Sequence, residues 1–90
     1  MKKQVNAIFS GRVQGVGFRF TVKDLADQSG VSGWVKNLSD GKVKVVAEAE
    51  EEVLKTFLDR IRESFSHYIR DCEVRWESAS EGFKNFSIEF

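Results

Sequence analysis

A two-layer α+β fold is predicted, with an antiparallel sheet covered on one face by two helices, in the order βαββαβ with a short extra C-terminal strand. Three observations carry this. Apolar residues alternate with period two in several short segments, they recur at helical spacing in two longer ones, and the two kinds interleave around an Asp-Gly turn. The 90 residues are read as one domain, 1–90, because a typical domain runs to roughly 100–150 residues. A hydrophobic fraction of 41%, with eight Phe and two Trp, is enough for a single core. One Cys cannot form an internal disulfide, and no clustered Cys and His residues offer a zinc site. Packing and backbone hydrogen bonds must therefore hold the fold.

The elements follow in order. From Gln4 to Val13 the apolar positions Val5, Ala7, Phe9 and Val13, with Gly11 completing the series, describe a strand with one buried face. A glycine-bearing turn, 14–19, leads into Val22, Leu25, Ala26 and Ser29. Those positions fall at i, i+3, i+4 and i+7 and predict a helix that Gly30 stops. Ser32–Leu38 and Lys42–Ala49 read as strands joined at Asp40-Gly41, a hairpin signal because both residue types tolerate positive φ. Glu50, Glu51 and Glu52 suit the positive end of a second helix, whose stripe is Leu54, Leu58, Ile61 and Phe65, widened by Val53 and Phe57. Cys72, Val74 and Trp76 alternate as a fourth strand, and Phe86, Ile88 and Phe90 as a short last one. A right-handed βαβ unit repeated around a hairpin is the split βαβ, or ferredoxin-like, layout. That layout hosts many activities, so function must come from a site.

Composition narrows the classes. Lys plus Arg equals Asp plus Glu at 14 each, without the basic excess of a nucleic-acid binder, so no nucleic-acid partner is expected. An RNA-binding module of this layout would stack bases on aromatics of its central strands, and Lys42–Glu50 carries none. The basic start, Met1-Lys-Lys, has no apolar run behind it, so neither export nor membrane attachment is expected. With its unpaired thiol the chain reads as cytoplasmic, which makes chance matches of the Asn-x-Ser triplets at Asn37 and Asn85.

The segment Gly11-Arg-Val-Gln-Gly-Val-Gly-Phe-Arg19 joins the end of a strand to the start of a helix. Free N–H groups and the helix dipole converge at such a junction. Gly15 and Gly17 let the backbone curl into an anion nest, and Arg19 can add a bidentate fork. The same residues also suit an ordinary glycine turn with a solvated Arg. Neither nucleotide loop is present: no Gly-Lys-[Ser/Thr] follows, and a dinucleotide fingerprint begun at Gly15 would need glycine where Phe20 stands.

A second segment adds specificity. Gly-x-Val-Gln-Gly-Val-x-Phe-Arg at 11–19, then Gly33-Trp-Val-Lys-Asn37 and Asp40-Gly41-x-Val43, resembles the two signatures of the acylphosphatase family, and a Phe-x-Ile-x-Phe end (86–90) agrees with it. The resemblance implies hydrolysis of an acyl phosphate to a carboxylate and inorganic phosphate, with no metal and no cofactor. Carried over, Arg19 and the loop Gln14, Gly15, Val16, Gly17 and Phe18 would hold the phosphate, and Asn37 would orient the attacking water. One departure stands out: many relatives have Thr three positions after the Arg, where this chain has Val22, preceded by Thr21. The expected partners are an acyl phosphate and anions such as its product phosphate, and the expected state is a monomer. Two relatives of other function remain open, a carbamoyl-phosphate-handling domain and a non-catalytic one.

Other candidate groups have simpler readings. His67 belongs to a surface or capping position, Cys72 to a buried packing position, Asp40 to the turn, and Glu50–Glu52 to a helix start rather than a metal site.

Overall fold

The computed structural model describes residues 1–90. Its elements are β1 (Lys2–Gly11), α1 (Phe18–Ser29), β2 (Ser32–Asn37), β3 (Val43–Glu50), α2 (Glu51–Ser64), β4 (Ile69–Ser78) and β5 (Phe86–Glu89). One five-stranded sheet has the order β4-β1-β3-β2-β5. The expected βαββαβ order with a short extra strand is present, and β1 to β4 pair antiparallel throughout. The last strand differs from that pattern by joining β2 in parallel, from Gly33–Phe86 to Lys36–Glu89, which makes the sheet mixed.

Strand direction is what positions the site. β1 and β2 each run antiparallel to β3, so they point the same way, and β5 points with them. The C-terminal ends of all three strands therefore lie at one end of the sheet. There the chain leaves β1 for α1, leaves β2 for the hairpin, and passes β5 into Phe90. α1 lies over β2 and β5, while α2 lies over β1 and β3. The first turn of α1 is thereby delivered to the same end.

The core fills the space between sheet and helices. Val5, Ala7 and Phe9 of β1, Val35 of β2, and Val43, Val45 and Ala47 of β3 are fully buried on the helix side, as period two requires. From α1 come Phe18, Val22, Leu25 and Ala26, and from α2 Leu54, Phe57, Leu58 and Ile61. Val53, expected to widen that stripe, is only partly buried. Gly30 caps α1 at φ 70°, and the N–H groups of Gly30 and Val31 both donate to the Ala26 carbonyl.

Some boundaries shift. β1 covers Lys2–Gly11 rather than Gln4–Val13, and Val13 lies past the strand yet is fully buried. The acidic run divides, with Glu50 closing β3 and Glu51 opening α2. β4 is twice the predicted five residues, spanning Ile69–Ser78. As an edge strand it exposes charged residues that hide the alternation, and for the same reason Trp76 is 42% exposed. The Asp40-Gly41 turn is wider than a two-residue hairpin. Gly41 alone takes positive φ (91°), its N–H donates to the Leu38 carbonyl, and the Asp40 carboxylate accepts from the Lys42 N–H at 3.1 Å. The conformational role expected of Asp40 takes this form. Gly33 marks a close approach of β2 to β3: a Cβ there would meet the Val46 carbonyl oxygen, and its φ is 137°.

One buried charge ties the open sheet face to the chain before β5. Glu48, 4% exposed, accepts hydrogen bonds from the Gln4 amide (2.7 Å), the Ser80 N–H (2.6 Å), the Ser80 hydroxyl (2.8 Å) and the Glu81 N–H (2.9 Å). Burial alone would raise its pKa. The hydrogen bonds outweigh that and hold it below the ordinary Glu value of 4.5. A carboxylate that ionises more easily in the folded state stabilises the fold above its unfolded pKa, and the contribution disappears as pH falls through the folded value. In urea titrations between pH 7 and pH 3, stability should fall as pH drops below about 4.5. Glu48→Gln should flatten that acid limb and cost about 1–3 kcal/mol at neutral pH, because backbone donors lose a charged acceptor.

Candidate functional site

The loop between β1 and α1 is pinned at both ends. Val13 is fully buried at its start, and Phe18 at its end is 2% exposed. The Phe18 ring packs 5.2 Å from Phe9 and 4.7 Å from Phe65, centre to centre. Driving Phe18 into the core leaves Arg19, one residue on, only partly buried at the helix start. Residues 14–17 thus span a short surface arch between two core anchors.

The arch has the backbone of an anion nest. Gly15 and Gly17 both take φ of 77°, and Val16 between them does not enter that region. This alternation of handedness turns successive N–H groups toward a common point. A Cβ at either glycine would meet nothing within 4 Å. Glycine is needed here for its φ, then, and leaves open space over the arch. None of the N–H groups from Gln14 to Gly17 donates to another backbone group. Gly17 caps α1 with no side-chain hydrogen bond, and the first helical turn carries no acidic residue. N–H donors without a protein acceptor at a helix N-terminus have a net attraction for anions.

A depression of about 140 Å³ lies over this arch, lined by Val13, Gly15, Gly17, Phe18, Arg19, Phe20 and Asn37. Asn37 comes from the other motif. It ends β2 in phase with the buried Val35, one step beyond the core, so its side chain enters from the sheet. Its Oδ1 is buried with no hydrogen-bond partner. A buried unpaired acceptor typically costs ~1–3 kcal/mol, and such groups in a native fold call for an explanation. Arg19 takes part in none of the chain's ion pairs. Its guanidinium lies 5.0 Å from the centre of the Phe90 ring instead, an arrangement that holds the cation without spending its donors.

Of the residues expected to bind phosphate, Gly15, Gly17, Phe18 and Arg19 line the depression together with Asn37, while Gln14 and Val16 do not. Val16 packs against the core. The side chain of Gln14 has a different task. Its amide donates to the carbonyls of Leu38 (2.8 Å) and Lys42 (2.9 Å), the two residues that flank the hairpin turn. One side chain thereby brackets the arch to the hairpin that carries Asn37. Thr21 is outside the lining, with its N–H on the Gly17 carbonyl, and Val22 is fully buried in the core. Three participants escaped the sequence reading: the Gln14 bracket, Phe20 and Phe90. The position of Phe20 directly after Arg19 was a usable signal for one of them.

The remaining candidates stand elsewhere. His67 is exposed in the turn after α2, as expected of a surface position. Cys72 is half-buried rather than buried, because it sits on the edge strand. Burial raises its thiol pKa against the pull of the Arg62 guanidinium, which lies 3.9 Å from Sγ. No group of three or more His, Cys, Asp or Glu side chains is placed to hold a metal ion. No helix is long and apolar enough to cross a membrane.

Comparison with known proteins places the same segments in one family. Residues 5–88 match the family model described as Acylphosphatase. An acylphosphatase of Bacillus velezensis is 42% identical over 89 residues, covering 97% of this chain and 98% of that protein. The crystal structure of the acylphosphatase from Bacillus subtilis superposes with a TM-score of 0.91 at 40% identity, over 98% of this chain and 99% of that one. Full-length HypF in its phosphate- and nucleotide-bound form matches with a TM-score of 0.90 at 31% identity, over all of this chain but 12% of its own.

The bracket can be tested directly. Gln14→Ala should lower affinity for inorganic phosphate, followed by calorimetric titration, by up to about thirtyfold, the equivalent of losing its two hydrogen bonds at ~1 kcal/mol net each. Gln14→Glu should lower it further, since a carboxylate would face two carbonyl oxygens and add negative charge beside the arch.

Proposed function

Because the chain belongs to the acylphosphatase family, and so hydrolyses the carboxyl–phosphate bond of acyl phosphates, we propose that Arg19 and the Gln14–Phe18 arch hold the phosphoryl group while Asn37 orients the attacking water. The observation that supports this most is the convergence on one depression of glycines at φ 77°, an unpaired guanidinium and an amide whose Oδ1 is buried without a partner.

The chemistry asks little of the protein. An acyl phosphate releases a carboxylate whose pKa is on the order of 4–5, close to that of Asp and Glu. Such a group departs without a general acid, and none of the lining residues could act as one. What remains is to neutralise charge on the phosphoryl oxygens and to place water in line with the leaving oxygen. The Arg19 fork suits two phosphoryl oxygens at once, and the arch N–H groups suit the rest. The Asn37 amide has both a donor and an acceptor, so it can fix a water molecule from two sides. In this scheme the bound phosphoryl group itself accepts the water's proton, since the lining holds no carboxylate or imidazole. No step in this scheme needs a metal.

A carbamoyl-phosphate role would use the same anion site and differ in the group attached to it. Phosphate release from carbamoyl phosphate and from several acyl phosphates, measured in chelator with a phosphate monoester as control, separates these readings. Activity should persist in chelator, and the monoester should stay intact. Arg19→Ala should reduce kcat/KM for benzoyl phosphate by roughly a hundred- to a thousand-fold, or ~3–4 kcal/mol, the usual loss for one charge-stabilising donor. Asn37→Ala should lower kcat while leaving phosphate affinity nearly intact. Turnover of either variant at the wild-type rate would remove that residue from the scheme.

A further inference from the structure

Five large apolar side chains are exposed: Met1, Phe20, Tyr68, Trp76 and Phe90. Two of them belong to the anion site. Phe20 lines the depression although it is 66% exposed, and the Phe90 ring lies 5.0 Å from the Arg19 guanidinium. A single exposed apolar residue is ordinary on a protein surface. Phe20 is set apart by its surroundings. On α1 its neighbours at i+3 and i+4 are Lys23 and Asp24, so the ring extends no apolar stripe and serves no core. It has no aromatic partner, unlike Phe9, Phe18, Phe57, Phe65 and Phe86. Fold stability alone gives no reason for a large ring at the mouth of a site whose business is charge.

The substrate supplies a reason. Every acyl phosphate offers the same phosphoryl end, held by N–H groups and a guanidinium, and differs only in the group carried by its carboxyl carbon. With the phosphorus held over the arch, that group must extend past the border of the depression. Of the three apolar lining residues, Val13 and Phe18 are buried in the core, and Phe20 alone presents a free apolar surface. Phe90 adds a second ring beside the guanidinium.

We propose that Phe20 is a specificity residue that receives the acyl group, so that the enzyme favours acyl phosphates with aromatic or other extended apolar acyl groups over those with small ones. This rests on the anion site described above and on its hydrolytic reading. The test compares kcat/KM for benzoyl phosphate and acetyl phosphate in wild type, Phe20→Ser and Phe20→Leu. Differences in intrinsic reactivity cancel when the benzoyl-to-acetyl ratio is compared between variants. Phe20→Ser should lower that ratio about tenfold, the low end of what an apolar pocket contact contributes to discrimination. Phe20→Leu should restore most of it, because it returns apolar surface without the ring. An unchanged ratio in Phe20→Ser, or equal losses on both substrates, would overturn the proposal while leaving the hydrolytic reading in place. Failure of the wild-type protein to hydrolyse either substrate would overturn that reading, and the acyl subsite with it.

Discussion

The common direction of β1, β2 and β5 is the constraint on which the site depends. Because β3 lies between β1 and β2 and runs against both, the strand-to-helix loop and the end of β2 arrive at one end of the sheet without any long connection. Parallel addition of β5 brings Phe90 to the same place. It falls one residue beyond the Lys36–Glu89 pair, level with Asn37. Three segments distant in sequence thus meet through backbone pairing alone. Antiparallel addition of β5 would have sent its end, and Phe90, to the far side of the sheet.

Placement at that end is made rigid by burial. A nest of unpaired N–H groups is a poor structure to hold by itself, since it stores mutual repulsion and forgoes hydrogen bonds. Val13 and Phe18 supply the compensation from either side, and the Phe9–Phe18–Phe65 stack carries it across β1, α1 and the turn after α2. The Gln14 amide then fixes the distance between arch and hairpin by accepting no freedom of its own, with both carbonyl partners in the turn region. The open acceptor of Asn37 is a cost of the same kind. The core beneath the site offsets the cost of these groups without partners.

Much of this was legible in the residues. Period two in β1 and helical spacing in α2 marked the elements, and Gly15, Gly17 and Arg19 marked the loop. Asn37 was reached through the second motif, not through its phase with Val35, although that phase is what points it inward. The extent of β4 was hidden because an edge strand needs only a weak apolar face. The side-chain partners of Gln14 could not be read, because they are backbone carbonyls more than twenty residues away, at Leu38 and Lys42. Phe90 looked like one more inward residue of an alternating series. The strand ends at Glu89, though, and pairing direction is not written in alternation. What escaped was therefore long-range register, while local pattern and motif spacing were recovered.

Under the proposed reading, poverty of groups at the site would itself confer selectivity. The depression offers charge, N–H donors and one amide, and its lining includes no carboxyl, imidazole or hydroxyl side chain. An alkyl phosphate monoester would have to release an alkoxide, a far stronger base than a carboxylate. Such a leaving group departs slowly unless an acid protonates it. An acyl phosphate releases a carboxylate, a weakly basic leaving group, which needs no such help. A site with a strong anion grip and no proton donor can therefore bind many phosphates and still act on few of them. Under the proposed arrangement the phosphoryl end would fix binding and leaving-group basicity would fix reactivity, so that only the acyl group would remain for the protein to distinguish by contact.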